Sequence, residues 1–432
     1  MSRVVAFVVA DSIGPRMAGP AIRALALARQ VASVADVRII ARHQPVEAPT
    51  DLEVVVAGTD RPAMERALRG VDVLVVFGTV LLDHPWIAEL DLHVVADAYD
   101  PAPLEALLQH AHDPIDRQRA IHADAQRAVT ETLCRADLVL CASERQRHLL
   151  LGVLSALGRV NPLTFGDAPD LARLVRLVPF GTDPEPMSGT RPGALRGAGA
   201  VTPDAFVLLW GGGVYPWLDP LLLVEAVAAI PDPKVVAYFM GVRHPSPDVP
   251  AMPIAEAVTR RAEDLGLLGS RILLADGWTP HAERASILVD ADVGVSLHHP
   301  HVETTFAFRT RILDYLWAGL PVLCSSGDVL SEEVTARDLG EVVPPDDLGA
   351  LVAAVDRLRD PARREACGAR ARVAGAERAW DSVAVPLVEY CADPWRAPDL
   401  AGREYAARWP GQGTVLARRA SGAIRRALHP RR

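Results

Sequence analysis

The feature that most constrains this chain is a series of short, unbroken apolar runs, each ending in Gly, Asp or Ser and each followed by a helical pattern. In the first half they are VVAFVVAD (4–11), VRIIAR (37–42), LEVVVAG (52–58), VDVLVVFG (71–78), LHVVADAYD (92–100), ADLVLCAS (136–143) and LVRLVPFG (174–181). A strand with one wet face alternates apolar and polar residues; a run that is apolar throughout belongs to a strand covered on both sides, hence to a parallel sheet. Strands that alternate with helical stretches predict a doubly wound α/β unit. The stretch DPEPMSGTRPGALRGAGAVTPD (183–204) breaks the rhythm with Pro, Gly and small residues and reads as a linker. The rhythm then restarts with FVLLWGGG (206–213), VVAYFMG (235–241), RILLADGW (271–278), ADVGVSLHH (291–299), PVLCSS (321–326) and GEVVP (340–344). The expected organisation is therefore a first Rossmann-like domain over 1–185, a linker over 186–204, a second Rossmann-like domain over 205–380, and a helical segment with a basic tail over 381–432.

A length of 432 residues suits two domains. A net charge of −9 argues against a general nucleic-acid binder. Cys134, Cys141, Cys324, Cys367 and Cys391 form no CxxC pair and sit mostly in apolar surroundings, the pattern of a reducing cytoplasm. The apolar run at the N-terminus meets Asp11 too soon for a signal peptide or a membrane span. The tail VLARRASGAIRRALHPRR (415–432) carries three basic pairs. It reads either as a solvated tail or as an arm that lies on anionic lipid at the inner face of a membrane.

In open parallel sheets, ligands bind beyond the carboxyl ends of the strands, where helix N-termini present unpaired N–H groups. Five segments occupy such positions. DSIGPRMAGPAIRALALA (11–28) places Gly14 and Gly19 in a strand-to-helix turn with Arg16 nearby, a place for an anionic group or simply a glycine-rich turn. LHVVADAYDPAPLE (92–105) ends a strand with Asp97, Tyr99 and Asp100, where a carboxylate can orient a sugar hydroxyl or only open a loop. LLWGGGVYPWLDP (208–220) offers Gly212 and Gly213 for close backbone approach, with Trp217 either in the core or as a ligand platform. FMGVRHPSP (239–247) places Arg243 after a strand, on the surface or as a charge clamp.

The fifth is SLHHPHVETTFAFRTRILDYLWAGLPVL (296–323). Its His298, His299, His301 and Glu303 lack the spacing of a metal-binding set, and no metal is expected. Thr304 or Thr305 can cap the helix that follows. Arg311, Asp314 and Trp317 fall three apart and share one helix face. Helix starts ordinarily favour Asp or Glu, because the backbone dipole is positive there. This one opens with Arg309 and Arg311.

The order of parts resembles the retaining glycosyltransferases of family 4, as an atypical subgroup, over nearly the whole length from GPRMAGPAIRALALA to AERAWDSVAVPL (376–387). ADLVLCASERQ (136–146), VPFGTD (178–183), GWTPHAERASILVDADVGVSL (277–297) and LDYLWAGLPVL (313–323) resemble that family's landmarks. The resemblance implies the GT-B fold of two facing Rossmann-like domains, with acceptor bound by the first and nucleotide sugar by the second. It implies a nucleotide-diphosphate sugar as co-substrate, no cofactor or metal, retention at the anomeric carbon, and a glycan, lipid-linked or small-molecule acceptor, as in polysaccharide biosynthesis. Asp314 falls where the family holds the nucleotide ribose, and Phe306 stands in place of another glutamate. Gly213 and Leu218 stand where an arginine and a lysine usually bind the donor phosphates.

Arg309 and Arg311, with Arg243 opposite, are expected to replace those cations at the diphosphate. The alternative is that they reach solvent or pair with acids such as Asp314. Thr305 and Phe306 join them on the donor side. Asp97, Asp100 and Arg309 are the expected catalytic groups, and Gly14, Arg16 and Tyr99 the acceptor contacts. The missing cations and glutamate leave a second reading, an inactive GT-B protein that serves as a binding or assembly partner.

Overall fold

The structure is a computed structural model that describes residues 3–183, 194–196, 201–246, 249 and 252–401. Each apolar run contains a strand. In the first unit these are β1 (Val4–Val9), β2 (Asp36–Ala41), β3 (Glu53–Val56), β4 (Val73–Val76), β5 (His93–Asp97), β6 (Leu138–Cys141) and β7 (Val175–Leu177). In the second they are β8 (Phe206–Gly213), β9 (Val235–Gly241), β10 (Ile272–Leu274), β11 (Val293–Ser296), β12 (Val322–Ser325) and β13 (Gly340–Val343).

The strands form a seven-stranded sheet in the order β3-β2-β1-β4-β5-β6-β7 and a six-stranded sheet in the order β10-β9-β8-β11-β12-β13. All these pairings are parallel. β4 shows why unbroken runs are needed. Val73 and Val75 pack into the core on one face of the sheet, Leu74 and Val76 into the core on the other, and all four are buried.

Strand order reverses between β1 and β4 in the first sheet and between β8 and β11 in the second. These are the points where the following loops diverge and leave a crevice. Gly19, at the start of the helix that follows β1, and Gly211–Gly213, at the end of β8, both open on one cleft between the units.

The chain crosses back after its second sheet. Thr182 donates its N–H to the Arg378 carbonyl at 2.8 Å, and Trp380 returns a bond to the Thr182 carbonyl at 3.1 Å. Helices Trp380–Val383 and Val385–Ala392 then pack on the first unit's Gly19–Val31 helix. Buried charges lock this return. Arg159 pairs with Asp399 at 2.7 Å, and Asp137 accepts from the Ala397 N–H at 2.9 Å and from Arg396 at 3.1 Å. The basic tail lies outside the described residues. Among the described residues no helix is long and apolar enough to cross a membrane.

Candidate active site

The helix Thr310–Ala318 is held on the second sheet by Tyr315. This ring lies where a Cβ on Gly294 would come within 2.2 Å of it and one on Gly211 within 3.0 Å. Its hydroxyl donates toward the Val295 carbonyl at 2.8 Å and accepts the Gly211 N–H at 2.8 Å. On the other side, Gly368 and Gly375 let the Pro361–Ala376 helix approach it backbone to backbone, and Gly319 ends it in the left-handed conformation at φ 69°. So fixed, the helix turns Arg311, Asp314 and Trp317 toward the cleft, as their spacing requires.

The cleft has two chambers. The first, about 1000 Å³ of space open to solvent, is lined by the glycines that end β8, by Thr279 and Arg284, and by the cleft face of the Thr310–Ala318 helix. The second is lined by Tyr99, Asp100 and Glu105 of the first unit and by Tyr215, Trp217 and His244 of the second. Gly19, Phe180, Tyr215, Thr310 and Arg311 line both chambers and mark where they join.

Two helix N-termini, one from each unit, converge at this junction. The Gly19–Val31 helix begins after Ala18 and the Thr310–Ala318 helix after Arg309. Neither has a side-chain cap, and neither carries an acid in its first turn. Unpaired N–H groups from both sides thus leave a concentrated positive potential where the chambers meet.

The two arginines of the second helix start have different fates. Arg311 is the cleft cation. Its Nη2 donates to the Gly213 carbonyl at 2.8 Å, its guanidinium lies 4.8 Å from the Trp210 ring centre, and its buried Nη1 has no protein partner. Burial lowers its pKa, but an arginine remains charged at neutral pH. Arg309 is a correction to the sequence expectation. It donates to both carboxylate oxygens of Glu303 at 2.9 and 2.7 Å, and that carboxylate is fully buried. The short break at Ala307 and Phe308 between helices folds Arg309 back onto the Val302–Phe306 helix, so its charge is already compensated.

Asp97 is the second correction. Arg23 donates to both of its oxygens at 2.8 Å, and Arg23 itself is buried over the rings of Tyr99 and Phe180. The pair thus braces Tyr99 and Phe180, which line the second chamber. Arg243 is exposed and lines neither chamber, whereas its neighbour His244 lines the second. Thr305 and Phe306 also lie outside both chambers; their carbonyls accept from Arg145 at 3.3 Å and Gln146 at 2.8 Å across the gap between the units. Gly14 and the exposed Arg16 line neither chamber, whereas Met17 and Ala18 line the first and Gly19 lines both. The expected cap from Thr304 or Thr305 is absent too, because the helix begins six and five residues later, at Thr310.

Gly19, Gly212, Gly213, Asp314, Tyr99 and Asp100 do line the cleft. Burial raises the pKa of Asp314, and Arg284, its ion-pair partner, opposes the shift. Arg284 and Glu105 were not singled out in the sequence. Arg284 sits three residues into the His281–Asp290 helix and meets Asp314 only in the folded chain. Glu105 lies beside Asp100, and burial followed by the Asp100 charge raises its pKa well above the usual carboxylate range. The Asp100 pKa is also raised, chiefly by burial, while its hydrogen bond with Glu105 opposes the shift. Both carboxyls therefore favour the protonated form more than a free carboxyl does.

The units meet at the mouth. Trp278 Nε1 donates to the Met17 carbonyl at 3.0 Å, and the His281 N–H to the Pro15 carbonyl at 2.7 Å. Of the histidines considered for a metal, His298 is buried against Asp328 at 3.3 Å, and His301 caps the Val302–Phe306 helix. Among the described residues, Asp219, His299 and Asp346 form the one group whose ligand atoms all lie within 4.8 Å of one another; they line neither chamber.

Compared with solved structures, the chain has the GT-B fold. It is similar to sucrose-phosphate synthase from Thermosynechococcus elongatus, with TM-score 0.66, 17% identity, and coverage of 90% of this chain and 98% of that one. It is similar to WaaG, a glycosyltransferase involved in lipopolysaccharide biosynthesis, with TM-score 0.63, 16% identity and coverage of 90% and 100%. It is also similar to Anabaena HepE in complex with UDP-glucose, with TM-score 0.60, 15% identity and coverage of 89% and 98%. No protein-family model and no curated protein sequence matches the chain.

Proposed function

We propose that the chain is a glycosyltransferase that moves a sugar from a nucleoside-diphosphate donor, with retention, to an acceptor in the second chamber. The observation that carries this reading is the meeting of two uncapped helix N-termini and the unsatisfied Arg311 Nη1 at the junction of the chambers. An arginine at a helix start is unfavourable unless an anion is held there as well, and a departing diphosphate is such an anion. The nucleoside occupies the first chamber, with Asp314 at the ribose, and Gly212 and Gly213 let the donor approach the β8 loop.

The work of the site is to position the two sugars and stabilise the charge that develops on the leaving phosphate. Retention by attack from the face of the departing group uses that phosphate to take the acceptor's proton and needs no carboxylate nucleophile. This fits Asp97, whose oxygens are both held by Arg23. The HepE structure in complex with UDP-glucose, and a trehalose-6-phosphate structure from E. coli bound with UDP-2-fluoro glucose, make uridine diphosphate the first nucleotide to test.

Calorimetric titration with UDP, GDP, ADP and dTDP tests the reading. One of them binds the wild type, and Arg311→Met weakens it about tenfold or more, the loss expected for a charge-assisted hydrogen bond. No binding by any of the four, or equal binding by Arg311→Met, favours the alternative of an inactive binding partner.

A further inference from the structure

Three loops that leave the carboxyl end of the second sheet bring together side chains far apart in sequence. Asp219 precedes the Pro220–Ala229 helix that follows β8, His299 lies just beyond β11, and Asp346 lies just beyond β13. His299 Nδ1 is 2.7 Å from Asp346 Oδ1 and 3.8 Å from Asp219 Oδ2, and the three ligand atoms all lie within 4.8 Å of one another.

The inner side of this cluster is held rigidly. Asp219 is only 5% exposed. Its N–H donates to the Leu297 carbonyl at 2.9 Å, and its Oδ1 accepts the Leu222 N–H at 3.0 Å as the cap of its helix. A bridge between Leu218 and His298 sets the register of the two loops, and with it the spacing of Asp219 and His299. Oδ2 of Asp219 is left over: it takes no hydrogen bond among the described residues and faces the imidazole. Two carboxylates this close repel each other, and one of them is out of water. Neither has an arginine or lysine as ion-pair partner among the described residues. The buried oxygen is costly as it stands, and a cation held by both acids and the imidazole removes that cost.

We propose that Asp219, His299 and Asp346 form a binding site for a divalent transition ion of the zinc class, which clips together the loops after β8, β11 and β13. One imidazole nitrogen with two carboxylate oxygens suits zinc, cobalt or manganese, whereas magnesium and calcium take oxygen ligands and gain nothing from the imidazole. The role is structural. The site lines neither chamber, so it stands whether or not the transferase reading does. It braces the second chamber from behind, because His301 Nε2 donates to the Trp217 carbonyl at 3.2 Å between two of the same loops, and Trp217 lines that chamber.

The test is calorimetric titration of the chelator-stripped full chain with zinc chloride and with magnesium chloride at neutral pH, with melting temperatures read in parallel. The wild type binds one zinc ion in the micromolar range or tighter, and zinc raises its melting temperature by mass action. His299→Ala and Asp346→Asn each weaken zinc at least about tenfold, since losing a direct ligand costs no less than losing its support. Both still melt cooperatively in chelator, because neither residue is in the core. His148→Ala, which removes a histidine with a 73% exposed side chain, leaves the affinity unchanged. Cobalt in place of zinc gives visible absorption bands that are lost in His299→Ala. The proposal is overturned if magnesium binds as tightly as zinc. It is overturned equally if His299→Ala and Asp346→Asn bind zinc like the wild type, which marks an adventitious ion only, on surface histidines. No zinc binding at all, with the His299 ring protonated at neutral pH by NMR, assigns the two carboxylates to a proton instead and also overturns it.

Discussion

Glu303 and Arg309 form a buried ion pair, and Arg309 lines the second chamber. Glu303 is fully buried and Arg309 nearly so, and removing one partner leaves the other charged in a low-dielectric interior. Glu303→Gln is expected to destabilise the protein by about 3 kcal/mol in chemical denaturation. Replacing both residues by apolar ones of similar volume should recover most of that loss. Asp100 and Glu105 behave in the opposite sense. A carboxyl whose folded pKa is raised binds more protons in the folded state, so its cost is absent below the ordinary carboxylate pKa and grows as pH rises through the raised value. Glu105→Gln removes that cost. Its melting temperature should match the wild type in acid and exceed it increasingly toward neutral pH. A constant difference across the pH range would refute the raised pKa of Glu105. The fate of Arg309 was not legible in the sequence. Its partner lies six residues upstream, and the bond exists only because Ala307 and Phe308 break the helix between them. The face shared by Arg311, Asp314 and Trp317 was legible, because a helical repeat alone sets it.

At the scale of elements, the positions of Arg311 and Asp314 are those of one nine-residue helix pressed against a sheet. Tyr315 is its anchor, and the glycines at 211 and 294 make the anchorage possible. Gly294→Ala places a methyl 2.2 Å from Tyr315 Cγ, so the ring and helix must move. The expected result is a lower melting temperature together with a loss of nucleotide affinity of about tenfold, although the residue lines neither chamber. Unchanged affinity in a folded variant would mean that the helix does not need this seat. The strands themselves were readable from the chain because fully covered strands leave no polar register. Helix boundaries near the site were less so. The chain pauses between Phe306 and Thr310, and Thr304 and Thr305 offered a cap where His301 and Arg309 stand instead.

At the scale of the whole molecule, the C-terminal helices complete the first unit. Composition and periodicity predicted helix after the second sheet but carried no information on which unit those helices cover, because an apolar stripe fits many partners. The contacts of Arg159 with Asp399 and of Asp137 with Arg396 settle it. A chain ending at Ala379 leaves Arg159 and Asp137 buried without these partners and uncovers the Gly19–Val31 helix. It should express as aggregate or as a loosened species with early amide exchange in the first unit, while exchange in β8–β13 stays slow.

The stitch between Thr182 and the Arg378–Trp380 segment has a mechanical consequence. The chain leaves the first unit and returns to it side by side, where Trp380 presses on Gly181. Two tethers fastened side by side form a single pivot, so the mouth at Trp278 and Met17 swings farthest while the floor at Trp380 scarcely travels. A fluorophore placed at the mouth would register opening, and the indole at the pivot would register only what sits above it.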